Sequence, residues 1–526
     1  MMKKLVLGMP VLKTGIWLGA FFLSPMGLAS QSDFADACRN LKSLTLEGYD
    51  IEVTEAAYID RSEKMSEAPT QSVAPKGFKP YCSLKGYFEK RVGVNDKPYA
   101  IGFGLALPES WNGRFLFQGG GGLNGLIREP LGALAAGETP ALFQGFAVAS
   151  TDSGHQSDSL FNVEFFEDQQ SLLNFYDRAV VKTTELAKKI VANHYGQPSL
   201  YNYFVGCSTG GREAMSMSQR YPNVFDGIVA GAPAMRTNYS EVADLWSAVT
   251  LQALVDDQQP EPFSVAQQSL IVDGLLKACD ARDGIRDGMV ADVVGCDFSP
   301  AALQCSAETE GGTCLTAAQV KALDKAFAGP RDIDGRNLYP GFFWDTGVAA
   351  KAEHGIPGLL QGVAGPLGKS RMGPPFDLQR EIAIARDFPL APGNATSTQL
   401  STFAHVGGKL MFFHGASDPW FSAQDTLQYY QRLAKRNGGL ERVQQWSRLY
   451  LVPGMGHCHG GESTLDQFDM LNPMVNWVEQ GKAPEAVEAT GKAFPGRSRS
   501  LCPYPAYGHY LGRGDSEEAV NFDCKR

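Results

Sequence analysis

Through the first half of the chain, short apolar runs alternate with longer stretches of helical spacing. RFLF (114–117), FAVAS (146–150) and YNYFV (201–205) each read as a buried strand bounded by glycine or polar turn residues. A helical pattern covers residues 176–195 before the third run and another covers 210–220 after it. Ile228 and Val229, within GIVAGAP, continue the alternation. Strand, helix, strand in this rhythm predicts a parallel sheet with helices on both faces, an α/β class. The rhythm fails from about residue 237 to 402, where polar turns, scattered proline and glycine and four of the ten cysteines take over. It resumes at KLMFF (409–413) and RLYLV (448–452). The pattern therefore predicts one sheet in two parts, residues 30–236 and 403–526, interrupted by an inserted domain at 237–402.

The first 29 residues stand apart from this pattern. Lys3, Lys4 and Lys13 precede an apolar run from Gly15 to Leu23, and Gly27-Leu28-Ala29 supplies small residues at the cleavage positions. This predicts a secretory signal peptide cut after Ala29; the run is short for a bilayer and is followed by Pro25. The expected mature protein is periplasmic or secreted and holds no membrane span. The net charge of −10, with no basic block, excludes nucleic acid as a partner. In an exported chain the ten cysteines read as disulfides, and none falls in a C-x-x-C pair. Proximity suggests Cys38–Cys82, Cys279–Cys296, Cys305–Cys314 and Cys502–Cys524. That leaves Cys207 and Cys458.

Those two cysteines flank the residues best suited to acyl transfer. Gly206-Cys207-Ser208-Thr209-Gly210 follows a predicted strand and opens a predicted helix, the setting a nucleophile elbow requires. A serine hydroxyl needs a base, and the base needs an orienting acid. On this fold the order is Ser, Asp or Glu, His, each just beyond a strand. HGASD places Asp418 there, and VPGMGH places His457 there. Asp425 is the rival acid but falls in a helical stretch; His459 is the rival base but lies farther from the strand. His155, His194, His354, His405, His414 and His509 read as ordinary surface or core histidines. An oxyanion hole needs two backbone N–H groups. Thr209 supplies one, and the glycine loop of RFLFQGGGGLNG (114–125) is the expected source of the other. No Gly-Lys-Ser/Thr follows that loop, which argues against a phosphate cradle. A Cys207–Cys458 bridge would hold the nucleophile and base segments within about 7 Å at Cα.

GCSTGGREAM, HGASD and VPGMGHC together resemble the tannase and feruloyl esterase family, which also holds terephthalate monoester hydrolases. The resemblance extends from PESWNGRF to CPYPAYGHYLGRGD. It implies an α/β-hydrolase fold whose insertion is a lid, and five disulfides that include Cys207–Cys458. It also implies a triad of Ser208, Asp418 and His457, and an oxyanion hole formed by Thr209 and Gly122. In the lid, CDARDGIRDGMV brings Asp280, Asp283 and Asp287 together, a set that suits a hard cation. The family implies structural calcium there, with the backbone carbonyls of Ile285 and Met289 as further ligands; no organic cofactor is implied. The expected activity is hydrolysis of small aromatic-acid esters of the feruloyl type, with galloyl esters and terephthalate monoesters as alternatives. Trp420 is a candidate substrate contact, and Phe343 and Trp344 are candidate lid contacts. A non-catalytic, calcium-stabilised binding protein on a hydrolase scaffold is the alternative of another class, and a peptidase or acyltransferase a third.

Overall fold

The computed structural model describes residues 31–62, 65, 76–306, 313–352, 355–372 and 376–526; the expected signal peptide and His354 lie outside them. Nine strands form one sheet: β1 (Ile51–Ile59), β2 (Tyr81–Val92), β3 (Pro98–Pro108), β4 (Arg114–Gln118), β5 (Ala147–Thr151), β6 (Tyr201–Cys207), β7 (Gly227–Gly231), β8 (Lys409–Gly415) and β9 (Ser447–Val452). Their order is β1-β2-β3-β5-β4-β6-β7-β8-β9. The pairs from β5 through β4 to β9 are all parallel, while β1, β2 and β3 extend the sheet antiparallel from β5. This is the α/β-hydrolase fold.

The parallel strands are apolar at their centres because helices cover both faces. Successive residues of β4 go to opposite cores. Phe115 and Phe117 pack with Phe204, Phe412 and Leu449 on one side. Leu116 packs with Tyr203, Val205, Met411 and Tyr450 on the other. Strand order reverses between β4 and β6, so the loops leaving them diverge over a crevice where ligands bind in open α/β sheets. The registers Cys207 with Gly231, and Gly415 with Val452, bring the strand ends level. Ser208, Asp418 and His457 therefore start from the same edge.

The chain between β7 and β8 builds its own core around Phe263, Ile271, Leu275, Val290, Leu315, Leu323 and Phe327. Two of its helices, Val265–Cys279 and Ala317–Phe327, begin with capping boxes, Ser264 with Gln267 and Thr316 with Gln319. The two glutamines also bond each other at 3.2 Å, locking the helix starts together. Phe343 is buried in the hydrolase core, and Trp344 stacks on Phe327 with ring centroids 3.6 Å apart. Both are packing residues.

Five disulfides join Cys38–Cys82, Cys207–Cys458, Cys279–Cys296, Cys305–Cys314 and Cys502–Cys524. Such a set belongs to an oxidising compartment outside the cytosol. Among the described residues no helix is long and apolar enough to cross a membrane.

Arg236, at the root of the insertion, fastens it to the helix that follows β8. Its guanidinium donates to both oxygens of Asp425, to the Leu338 carbonyl at 3.2 Å, and lies over the Tyr339 ring. Asp425, the rival acid, sits in the helix Ala423–Arg436 and is occupied by this pair. Asp425→Ala strands the arginine among apolar neighbours. The expected loss is about 3–5 kcal/mol of stability, read as a lower urea midpoint.

Candidate active site

β6 ends in a turn that forces Ser208 to φ +63° and ψ −122°, a strained conformation for a residue with a side chain. The turn is closed by three bonds. Ser208 N–H donates to Gly231 O at 3.1 Å, and Ser208 O accepts from the N–H groups of Ala234 and Arg212, each at 3.0 Å. The helix Thr209–Arg220 starts at once, leaving the serine half-buried at its mouth. Close approach explains the glycines. A Cβ on Gly206 would stand 2.6 Å from Gly210 O, and one on Gly210 would stand 2.7 Å from Gly120 O. The glycine loop after β4 thus lies backbone against backbone on the nucleophile turn.

Asp418 and His457 follow β8 and β9. Asp418 Oδ2 is 2.8 Å from His457 Nδ1, and both side chains are buried. A carboxylate has no proton to give, so Nδ1 donates and Nε2 is left as the acceptor. Nε2 lies 3.7 Å from Cys458 Sγ, whose disulfide holds the Cα of Cys458 6.0 Å from that of Cys207. Trp420 and Phe421 flank the imidazole, with ring centroids 5.7 and 5.2 Å away. These two rings share an apolar cluster with Ala234, the residue bonded to Ser208 O. Nucleophile segment and base therefore meet in one site. His459 is exposed.

His414, expected as an ordinary histidine, belongs to the acid's donor set. Its Nε2 faces Asp418 Oδ2 at 3.1 Å and Phe421 O at 2.7 Å, so that nitrogen carries the proton. Nδ1, 2.8 Å from Thr426 Oγ1, then accepts the threonine proton. Asp418 Oδ1 accepts from the N–H groups of Trp420 and Phe421. Burial pushes this carboxyl up, but His457 and His414 beside it more than offset burial and hold it well below the usual carboxylate range. The sequence signal was the histidine four residues ahead of Asp418 on the same strand end.

Two more buried acids tie these loops together. Asp345, from the insertion, accepts from Ser417 Oγ at 2.6 Å and from Gly454 N–H at 2.7 Å, joining the acid loop to the base loop. No local motif announces it, since its partners are distant in sequence. Glu213, one helical turn beyond Thr209, accepts from Gly120 N–H at 3.0 Å and from Asn124 Nδ2 at 2.7 Å.

The loop after β4 has few N–H groups to spare. Gly119 donates to Val205 O, Gly120 to Glu213, Leu123 to Leu160 O, Asn124 to Gly121 O and Gly125 to Asp152 O. Among the described residues, the N–H groups of Gly121 and Gly122 have no such partner. Gly122 also has φ +59°, and a Cβ there would stand 2.6 Å from the Leu160 side chain. Thr209 N–H opens its helix, where first-turn donors have no intrahelical acceptor.

Phe161, Ile356, Trp420 and Phe421 form an apolar wall beside His457, with Phe161 and Trp420 centroids 5.6 Å apart. Behind Trp420 its indole N–H donates to Glu241 Oε1 at 2.8 Å. Burial pushes Glu241 up to about 7 and raises its neighbour Asp244 well above the usual carboxylate range. In the acidic lid loop, Asp280 accepts from the N–H groups of Asp287 and Gly288, Asp283 from that of Ile285, and Asp287 from that of Met289. Arg499 pairs with Asp287. Burial above all, with Asp287 and Asp280 close by, pushes Asp283 up to about 7. Among the described residues no three acidic, histidine or cysteine side chains converge on one point. A cleft lined by Asp283, Asp287, Met289, Arg499 and Tyr507 borders this loop, and no triad residue lines it.

Asp418→Asn places a donor opposite His457 Nδ1 and favours the wrong tautomer. The expected loss in kcat is about ten-thousand-fold. His414→Ala leaves Asp418 short of one donor and is expected to cost about 1.5–3 kcal/mol of stability, with a smaller loss of kcat. Steady-state rates and unfolding curves on the two variants check both.

The family model for tannase and feruloyl esterase matches residues 88–360 and 388–525. The mono(2-hydroxyethyl) terephthalate hydrolase of Piscinibacter sakaiensis is 36% identical, with 84% of each chain covered. A probable feruloyl esterase of Arthroderma benhamiae is 29% identical over 98% of each chain. The crystal structure of feruloyl esterase B from Aspergillus oryzae superposes with a TM-score of 0.77 at 25% identity, covering 94% of this chain and all of that one. The chain belongs to the tannase and feruloyl esterase family and is a carboxylic ester hydrolase.

Proposed function

We propose that this esterase is exported and cleaves esters of hydroxycinnamic acids, the feruloyl type, through a covalent acyl-enzyme on Ser208. His457 Nε2 takes the Ser208 proton as Oγ attacks the ester carbonyl carbon. The oxygen that becomes negative lies between the N–H groups of Thr209 and Gly122. His457 returns its proton to the leaving alcohol, the C–O bond breaks, and a water molecule repeats the steps to release the acid. Asp418 keeps His457 in the tautomer that can do this and faces the imidazolium that forms.

The observation that carries the substrate reading is the wall of Phe161, Trp420 and Phe421 beside His457, backed by two buried acids. Flat rings suit an aromatic acyl group. The wall itself is made of apolar side chains, which give a second carboxylate on the substrate ring no ionic partner. Identity to the mono(2-hydroxyethyl) terephthalate hydrolase favours the other reading, in which the acyl group carries such a carboxylate. In the lid, Asp280, Asp283 and Asp287 would hold calcium with the carbonyls of Ile285 and Met289. The ion would order the lid and takes no part in acyl transfer.

A fluorophosphonate probe should label the wild type and leave Ser208→Ala unlabelled. Among methyl ferulate, methyl gallate and a terephthalate monoester, methyl ferulate should give the highest kcat/KM. A faster terephthalate monoester would sink the hydroxycinnamoyl reading and leave the acyl-enzyme standing. Chelation should lower the melting temperature, and added calcium should restore it. At a hundredfold excess over Kd, calcium is worth about 2.7 kcal/mol. A protein that contains no calcium by elemental analysis and melts unchanged in chelator would remove the ion from the account.

A further inference from the structure

We infer that Glu213 is a positioning residue that, together with the Thr209 hydroxyl, clamps the oxyanion loop onto the nucleophile helix. The inference rests on Ser208 performing acyl transfer, and it adds a group that touches neither substrate nor base.

Thr209 and Glu213 are four residues apart in the helix Thr209–Arg220 and so project from one face. That face meets the glycine loop after β4. The Thr209 hydroxyl donates to Gly122 O. Glu213 Oε2 accepts from Gly120 N–H at 3.0 Å, and Oε1 accepts from Asn124 Nδ2 at 2.7 Å and Ser153 Oγ at 3.3 Å. Asn124 Nδ2 also donates to Ser153 Oγ. One carboxylate, none of it exposed to solvent, thus collects donors from the loop after β4 and from the loop after β5. Burial raises its pKa, while Arg212 and the three donors work the other way.

This arrangement determines which N–H groups remain for the substrate. With Gly120 spent on Glu213 and Gly122 O drawn toward Thr209, the free N–H groups of Gly121 and Gly122 lie between two fixed points. Thr209 N–H is carried by the same helix as the clamp. Both halves of the oxyanion hole are then referenced to one rigid element, which is what preorganised stabilisation of a developing charge requires. Asn124 at φ +54° is the far end of the clamped segment, a conformation that asparagine and aspartate tolerate.

Glu213→Gln removes the charge and turns one of the two acceptors into an N–H₂ donor, so that the donors of Gly120 and Asn124 no longer both face an acceptor, and weakens the clamp without a change of size. The expected loss in kcat is on the order of a hundredfold, with KM for the ester and Ki for the free acid within about twofold of wild type. A boronic acid, whose tetrahedral adduct places an oxygen in the hole, should lose affinity by a similar factor when measured on titrated active sites. Loss of folded protein would lower the titre and leave that affinity unchanged. The swap Asn124→Asp with Glu213→Gln restores donor facing acceptor and should recover at least tenfold of the lost kcat. Thr209→Val, which keeps the backbone N–H, should show the same split of kcat from KM and serves if the glutamine variant does not fold. Wild-type kcat and boronate affinity in Glu213→Gln, or a swapped pair no faster than Glu213→Gln, would overturn the clamp. A wild type that turns over no ester would instead overturn the acyl-transfer reading itself.

Discussion

A carboxylate removed from water costs several kcal/mol unless donors surround it, and that constraint organises the catalytic edge of the sheet. Asp418 gathers two imidazoles and two backbone N–H groups. Glu213 gathers donors from the loops after β4 and β5. Asp345 reaches out of the insertion to the loops after β8 and β9. Each acid takes donors from separate segments, so each acts as a pin. Loops that leave a parallel sheet diverge, and these pins hold them at fixed separations.

The sheet also explains why much of the site could be read from the chain. β4 through β9 are buried on both faces, so RFLF, YNYFV and KLMFF stand out as apolar runs. Ser208, Asp418 and His457 follow such runs directly. β1, β2 and β3 were not anticipated. They pair antiparallel and leave polar positions such as Lys85, Glu89 and Lys90 along β2, which dilutes the apolar signal. Within HGASD, the histidine is in view but reads as ordinary. Its role depends on a bend that returns residue 418 to it, and no residue pattern encodes that distance. Asp345 was invisible for a stronger reason: both of its partners lie beyond the end of the insertion.

The insertion is more than a cover. Its own core and capped helices make it a compact body, and Arg236 and Asp345 attach it at two points on the hydrolase. Ile356 contributes to the apolar wall from the lid side, while Phe161, Trp420 and Phe421 contribute from the other. The apolar wall beside His457 is therefore shared between two parts of the chain. Glu241 lies on the first helix of the insertion and holds Trp420 by its indole, which ties the wall to the insertion.

The disulfide between Cys207 and Cys458 closes a ring of chain across a separation of 251 residues, and the entire insertion lies inside it. Whatever the length or sequence of the enclosed segment, the two ends that carry the alcohol and the imidazole stay a single covalent link apart. The enclosed domain can thus be remodelled while the covalent link still joins the segments of Ser208 and His457.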